Sequence, residues 1–305
     1  MQPRGLPPLA QVLAIVGLGA FWGISPTFYK LMANEHIPVS HIIVFSGIGV
    51  GTGLGFLRWL TTGRKGFTRA EILYGLGCGL LQNVPFAMGL WLAKYLPVTV
   101  FAVISSMAPF CSYALALALR REGASQLRIL ALFVGFASSA TLILTRQTAT
   151  DLSLSSWTLL ALLPTALYAV YGMFASMAWP KGMDTLTAGS IESWASATIA
   201  LPFLLVLQPV HGIGDFHWGY WTLGVITLIW TIERIAYFTM IQRSGPVTTS
   251  QAVYVSSPAS VLFGATLFGE RIDVWLIACL GLLLVALYLN NRALSAAKRV
   301  SAAAT

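Results

Sequence analysis

Glu233 and Arg234 stand side by side within residues 219–242, a stretch that is otherwise largely apolar and aromatic. An ionised side chain facing hydrocarbon costs roughly 2.5–3.5 kcal/mol on insertion scales, so the pair must face protein or water. On a helix, Trp230, Glu233 and Tyr237 share one face, and Trp230, Arg234 and Phe238 an adjoining one. That surface offers both signs of charge and aromatic rings to a zwitterion. It serves equally well as a structural pair that ties helices together.

Other polar residues sit where a helix would be interrupted. Ser105 and Ser106 precede Pro109, and Ser256 and Ser257 precede Pro258. A proline frees the carbonyl one turn before it, and nearby hydroxyls can serve the exposed backbone. Interrupted helices of this kind hold the polar ends of solutes in transporters, and Pro109 and Pro258 are candidate hinges. Gln82 and Asn83 precede Pro85 and either point into a cavity or join helices. Trp22, Trp91, Tyr168, Tyr171 and Tyr254 are candidate solute contacts, with packing as the competing role. The substrate-binding candidates are therefore Trp22, Asn83, Trp91, Ser105, Tyr168, Tyr171, Trp230, Glu233, Arg234, Tyr237, Tyr254 and Ser257. His41 and Glu192 lie near span ends and read as tethers, although either could titrate.

Catalytic signatures are missing. The sequence contains no G-x-x-x-x-G-K-[ST], H-E-x-x-H or G-x-S-x-G, which argues against a self-contained ATP-driven pump or a familiar hydrolase. No catalytic residue and no cofactor is implied. Cys78, Cys111 and Cys279 are scattered singly, without disulfide or metal spacing, and read as small buried hydrophobes. Gly47, Gly51 and Gly55 form a ridge for close helix approach, Gly49 and Gly53 a second, and Gly75 and Gly79 begin a third.

The elements that position these residues follow from composition. Hydrophobic residues make up 57% of the chain and charged ones 9%, with a mean hydropathy of +0.77, against roughly 25% charge in soluble domains. At about 20 apolar residues per crossing, 305 residues suffice for about ten crossings with short links. Apolar runs place them near 9–29, 38–59, 70–93, 97–119, 126–145, 158–178, 186–207, 219–242, 246–268 and 272–291. The first is read as a retained span, because the apolar pattern continues beyond a signal peptide. The fold class is all-α integral membrane, with the lipid bilayer as a partner and nucleic acid excluded despite the net charge of +8. Lys94, Tyr95 and Leu96 make one tight hairpin link, and Arg243, Ser244 and Gly245 another.

The chain also repeats itself. At an offset of 149 residues, Trp22-Gly23 falls on Tyr171-Gly172, Pro97-Val98-Thr99 on Pro246-Val247-Thr248, and Pro109 on Pro258, while Glu122 and Glu270 slip by one. Residues 1–149 and 150–305 are thus two copies of a five-span unit. An odd number of spans orients the copies oppositely. Inverted repeats of this kind build secondary transporters whose site lies near the midplane.

Leu92-Ala93-Lys94-Tyr95-Leu96-Pro97 through Ser105-Ser106-Met107-Ala108-Pro109, then Arg121-Glu122 and Gly135, resemble the EamA family of the drug/metabolite transporter superfamily. Gly245-Pro246 through Ser256-Ser257-Pro258 and Gly269-Glu270-Arg271 repeat the pattern, and Phe21-Trp22-Gly23 also fits it. One departure is that an arginine common early in the second span is replaced by the sequence His41-Ile42-Ile43-Val44-Phe45-Ser46. The resemblance implies a ten-helix basket around a central cavity lined mainly by the first, third, fourth, sixth, eighth and ninth spans. Its aromatic density is similar to that of bacterial aromatic amino-acid exporters of the YddG type. The implied activity is export of amino acids, aromatic or otherwise apolar, by alternating access. Efflux of cationic or amphipathic drugs is the second reading, and a receptor or scaffold without transport the third.

Basic residues orient the chain. With the N-terminus in the cytoplasm of a bacterium and the spans in its inner membrane, thirteen of the eighteen Lys and Arg residues fall inside, including Arg4, Arg58, Arg64, Lys65, Arg243 and Arg292. Lys30, Lys94, Arg146 and Arg271 fall outside, and both termini are cytoplasmic. Cysteines placed singly at positions 64 and 215 test this orientation in intact cells. An impermeant thiol reagent added outside should label position 215 and spare position 64; the opposite pattern inverts the topology.

Overall fold

The computed structural model describes residues 8–63, 66–121, 123–147, 152–208 and 219–303. Arg4, Arg64, Lys65, Glu122 and Asp215 lie outside the described residues, as do the side chains of Arg146, Lys298 and Arg299. Among the described residues there is no strand. The helices are α1 (Pro8–Asn34), α2 (Val39–Thr62), α3 (Arg69–Leu92), α4 (Val98–Ser105), α5 (Ala108–Ala118), α6 (Gln126–Gln147), α7 (Leu152–Leu160), α8 (Leu162–Met177), α9 (Thr185–Leu207), α10 (Tyr220–Ser244), α11 (Pro246–Ser250), α12 (Val253–Phe268) and α13 (Val274–Ala303). Among the described residues, five stretches are long and apolar enough to cross a membrane: Leu9–Asn34, Val39–Thr62, Ser156–Met177, Thr185–Leu207 and Tyr220–Ser244. Val103–Ala118, Gln126–Gly135 and Val274–Ala286 are shorter apolar segments.

Each stretch expected to span is helical, but three are broken. Pro109 lies in the first turn of α5, where its missing N–H is not needed. The bond it cannot make would reach Ser105, the last residue of α4. Ser106 and Met107 bridge the gap with three-residue bonds, Ser106 N to Val103 O at 3.2 Å and Met107 N to Ile104 O at 3.0 Å. Pro164 acts similarly: the carbonyl it leaves unbonded belongs to Leu160, where α7 ends, so the sixth stretch divides at Ala161. The apolar run 158–178 by itself predicts one uninterrupted span there. Pro258 differs, since it lies inside α12 while the chain breaks at Gln251 and Ala252, whose amides bond to Thr248 and Thr249 carbonyls. That break falls about one turn earlier than the repeat register would put it.

Local signals fix the helix ends. Thr68 and Glu71 form a reciprocal capping box on α3, and Asp184 caps α9 by accepting Thr187 N at 2.7 Å. Gly245, at φ 80°, lets α10 turn directly into α11. Glu270 links three separate parts of the chain: one carboxylate oxygen accepts Val98 N at the start of α4 at 2.8 Å and Lys30 Nζ from α1 at 3.3 Å. His41 behaves as the expected tether, with Tyr220 Oη at 2.6 Å and the Gln208 carbonyl at 2.8 Å. Cys78 and Cys279 are buried as expected, whereas Cys111 is partly exposed at the edge of α5.

The most extensive helix contacts all join an element of the first half to one of the second: α2 with α9, α6 with α13, α3 with α9, α1 with α12, α3 with α8 and α1 with α10. They also pair up when the halves are exchanged. The α1–α12 packing answers to α5–α8, α3–α8 to α1–α10, and α3–α9 to α2–α10. The halves are therefore interleaved rather than packed as separate lobes.

Glycine makes the tightest of these contacts possible. A Cβ at Gly47 would stand 2.8 Å from the Ser193 carbonyl oxygen, and one at Gly79 2.8 Å from Ser196 N, so α9 is wedged between α2 and α3 with backbone on both sides. The second ridge of α2 faces elsewhere, with Gly49 and Gly53 against Thr227 and Thr231 of α10. Ser190 Oγ donates to the Gly51 carbonyl at 2.8 Å and Asn83 Nδ2 to the Ser196 carbonyl at 2.9 Å, so the closest approaches also carry hydrogen bonds.

Gly79→Ala and Gly53→Ala should then have different effects in thermal melts of detergent-purified protein. The added methyl at 79 meets backbone that cannot move aside and should cost about 1–3 kcal/mol. At 53 the nearest atom is 3.5 Å away, ordinary contact, and the better helix propensity of alanine should leave stability equal or higher by up to about 1 kcal/mol.

Candidate functional site

A cavity of about 210 Å³ lies at the centre of the bundle. Its charged residues come from two helices in the second half. Glu233 and Arg234 lie midway along α10, and Glu192 two turns into α9, a position fixed by the Asp184 cap. Arg234 Nε stands 3.4 Å from Glu192 Oε2 and 3.7 Å from Glu233 Oε2. Trp22 of α1 donates its indole N–H to Glu233 Oε1 at 2.8 Å. Arg234 Nη1 reaches the Tyr171 hydroxyl at 3.4 Å, and that hydroxyl lies 3.5 Å from Glu192 Oε1. One guanidinium thus serves two carboxylates, with hydroxyl and indole donors around them.

Aromatic rings flank this centre in two groups. Tyr171 and Tyr237 stack with centroids 5.5 Å apart and planes 8° from parallel, and Trp22 leans on Tyr237 at 6.2 Å. In the other group, Phe86 meets Trp230 at 5.2 Å and Tyr29 at 5.6 Å, both edge to face. Trp230 Nε1 donates to Ser25 Oγ at 3.4 Å. Edge-to-face and offset pairs are the favoured geometries and add to simple burial. Serines 46, 105, 112, 193, 196, 256 and 260 complete a wall rich in small hydroxyls.

Nine of the sequence candidates line this cavity: Trp22, Asn83, Ser105, Tyr168, Tyr171, Trp230, Glu233, Arg234 and Tyr237. Three do not. Trp91 is at the surface, 38% exposed, against Tyr95 and Trp157. Tyr254 packs with Met107, Phe110, Ala131 and Ala286. Ser257 turns back onto the Val253 carbonyl at 3.0 Å. The hinge candidates Pro109 and Pro258 are also absent from the lining. Phe238, on the adjoining face of α10, is fully buried in the core instead.

One expectation needs correction. Glu192 is a wall residue in contact with Arg234, not a tether at a span end, because α9 begins at Thr185 and carries it well inside. The second and seventh stretches also line the cavity, through Ile43, Ser46, Gly47 and Val50 of α2 and Glu192, Ser193 and Ser196 of α9. Tyr29, Phe86 and Ser25 were missed outright. A helical stripe through Trp22, Ser25, Pro26 and Tyr29 was the available signal, since these residues share one face of α1.

The family model described as the EamA-like transporter family matches residues 9–144 and again residues 155–292. The chain belongs to the EamA-like transporter family. It is accordingly a multi-pass membrane protein of a family that transports small solutes, and not one of enzymes. A solved structure described only as "Crystal structure of protein" aligns with TM-score 0.66 over 93% of this chain and 98% of its own length, at 11% identity. That likeness speaks to the fold alone. No curated protein gives a significant match.

The hydrogen bond from Trp22 to Glu233 can be weighed by a double-mutant cycle in this EamA-like protein. Trp22→Phe keeps the ring beside Tyr237 but removes the N–H, and should lower stability by about 1.5–3 kcal/mol, the usual worth of a bond to a charged group. In a Glu233→Leu background the same change should cost much less. Equal costs in both backgrounds would show that the bond contributes nothing.

Proposed function

We propose that this protein is a secondary transporter exporting small organic solutes that carry an ammonium group on an apolar or aromatic body, aromatic amino acids foremost. The observation that carries the reading is the Glu192–Arg234–Glu233 cluster set between two aromatic groups inside one cavity. The carboxylates suit an ammonium, the guanidinium suits a carboxylate, and the rings suit an apolar side chain and a cation face. Hydroxyls on the walls can exchange hydrogen bonds with a solute without a large desolvation cost.

The mechanism that fits is alternating access by two inverted five-span repeats in a bacterial inner membrane, ten crossings in all, with both termini in the cytoplasm. The offset of 149 residues, the two matches to one family model and the exchange symmetry of the helix packing support that construction. Helix breaks at Ser106–Met107, Ala161 and Gln251–Ala252 give places for helices to bend, with Pro109 and Pro258 as the sequence-derived hinges.

A second reading rests on the charge count. Two carboxylates face one guanidinium, which favours an organic cation without a carboxylate of its own. Efflux from proteoliposomes separates the readings. Phenylalanine or tryptophan should leave loaded vesicles at least tenfold faster than glutamate or a sugar nucleotide. Fast efflux of an amphipathic cation with no flux of any amino acid would select the second reading, and no flux of either class would sink both.

A further inference from the structure

Two uncharged polar atoms on residues of the cavity wall are buried without a hydrogen-bond partner in the protein: Gln82 Oε1 of α3 and Ser196 Oγ of α9. Gln82 is 8% exposed and Ser196 7%. They stand at one level of the wall, because Asn83, next to Gln82, donates its Nδ2 to the Ser196 carbonyl at 2.9 Å. The hydroxyl of Ser46 on the neighbouring α2 is satisfied by the Ile42 carbonyl at 2.5 Å. A buried acceptor left unpaired loses its water and gains nothing in return, so two of them on a binding wall call for a group that completes them.

Their height on the wall says what that group is. Helices α3 and α9 run in the same direction, with Gly75 against Ile191 and Gly79 against Ser196. Ser196 is one turn beyond Glu192 on α9, and Phe86 one turn beyond Gln82 on α3, each pair on one face. Along the wall, then, the charged cluster around Arg234 comes first, Gln82 and Ser196 next, and the rings of Phe86, Trp230 and Tyr29 last. A solute held by its charged end lays its side chain across the middle level, about 5 Å further on. An amide oxygen only accepts, and a hydroxyl accepts or donates, so the side chain must bring a donor. That donor is uncharged, since Gln82, Asn83, Ser193 and Ser196 offer no counter-charge to a buried ion. An indole meets both demands: its N–H is carried on an apolar ring, about one helical turn from the ammonium of tryptophan. The tyrosine hydroxyl lies further out, at the tip of its ring, and phenylalanine has no donor at all.

We propose that Gln82 and Ser196 form a neutral hydrogen-bonding subsite that selects indole side chains, with Gln82 Oε1 as the principal acceptor of the ring N–H and the Ser196 hydroxyl as the second. The inference rests on the reading of the cavity as a site for aromatic solutes that carry an ammonium group, and it narrows that class. The protein alone already bears the cost of the unpaired atoms. A solute with the N–H removes that cost, whereas one of the same shape without it leaves the atoms unpaired. Sites built to bond a substrate N–H or O–H separate such pairs far better than apolar pockets separate sizes.

Benzothienylalanine has the shape of tryptophan with sulfur in place of the N–H, and so isolates the bond. Tryptophan should leave proteoliposomes of the whole chain at least about tenfold faster than this analogue. Gln82→Met, matched in length, should bring the ratio of the two rates close to one, and Ser196→Ala should lower it about threefold. Should Gln82→Met not fold, as read by thermal melts in detergent, Ser196→Ala carries the test alone. A parental ratio near one, or a ratio unchanged in the folded variants, overturns the subsite and leaves the ammonium reading standing. Absence of flux for every amino acid defeats that reading instead, and binding then decides the subsite: indole should raise the melting temperature of the parent more than benzothiophene does, and the two variants should reduce the difference. Equal shifts in the parent overturn the subsite as well.

Discussion

The bundle depends on α9 lying between α2 and α3 with almost nothing between their backbones. In a membrane, lipid tails are as apolar as leucine, so close van der Waals packing and hydrogen bonds between helices must do what the hydrophobic effect does in water. Glycines 47, 51 and 55 on one side and 75 and 79 on the other remove the side chains that would hold the helices apart. Ser190 of α9 then donates across the gap to the Gly51 carbonyl. The position of Glu192 is a result of this arrangement, because a wedge one side chain wider would carry its carboxylate away from Arg234.

The interleaving of the halves explains why the cavity draws on both. Trp22 from the first half holds Glu233 from the second, Asn83 holds the α9 backbone, and Glu270 near the end of the chain joins α1 to α4. No half of the chain contains a complete set of these partners. The charged residues themselves all lie in the second half, so the site is asymmetric within a symmetric frame. Repeats supply the geometry twice, and single positions such as Glu192 and Arg234, with Arg234 offset onto Pro85 in the first copy, supply the chemistry once.

Much of this was legible in the residue order. Apolar run lengths found the helical stretches, the glycine spacing found the ridges of α2 and α3, and the isolated Glu233–Arg234 pair located the charged centre. The misses have physical causes. Helix breaks depend on which carbonyl a proline orphans and whether its neighbours can bridge the gap, so Pro109 and Pro164 coincide with breaks and Pro258 does not. Aromatic residues read the same whether they face solute, lipid or core, which is why Trp91 and Tyr254 were grouped with Tyr171. Glu192 was misjudged although α9 begins within one residue of the expected start, because two helical turns from that start already carry a side chain from the end of the span into the cavity wall.

Interleaving also sets an order on biogenesis. The first half leaves the ribosome before any of its main partners exists, so α1 to α6 enter the bilayer with their glycine faces uncovered. Those faces are narrow and carry exposed backbone, which makes them prone to pairing with the wrong helix while they wait. Most of the stabilising contacts join residues far apart in the chain, a topology that assembles slowly and late. The tertiary structure can therefore close only after α9 and α10 have been inserted, and the polypeptide spends its synthesis as a row of separately inserted helices whose final mates have yet to be translated.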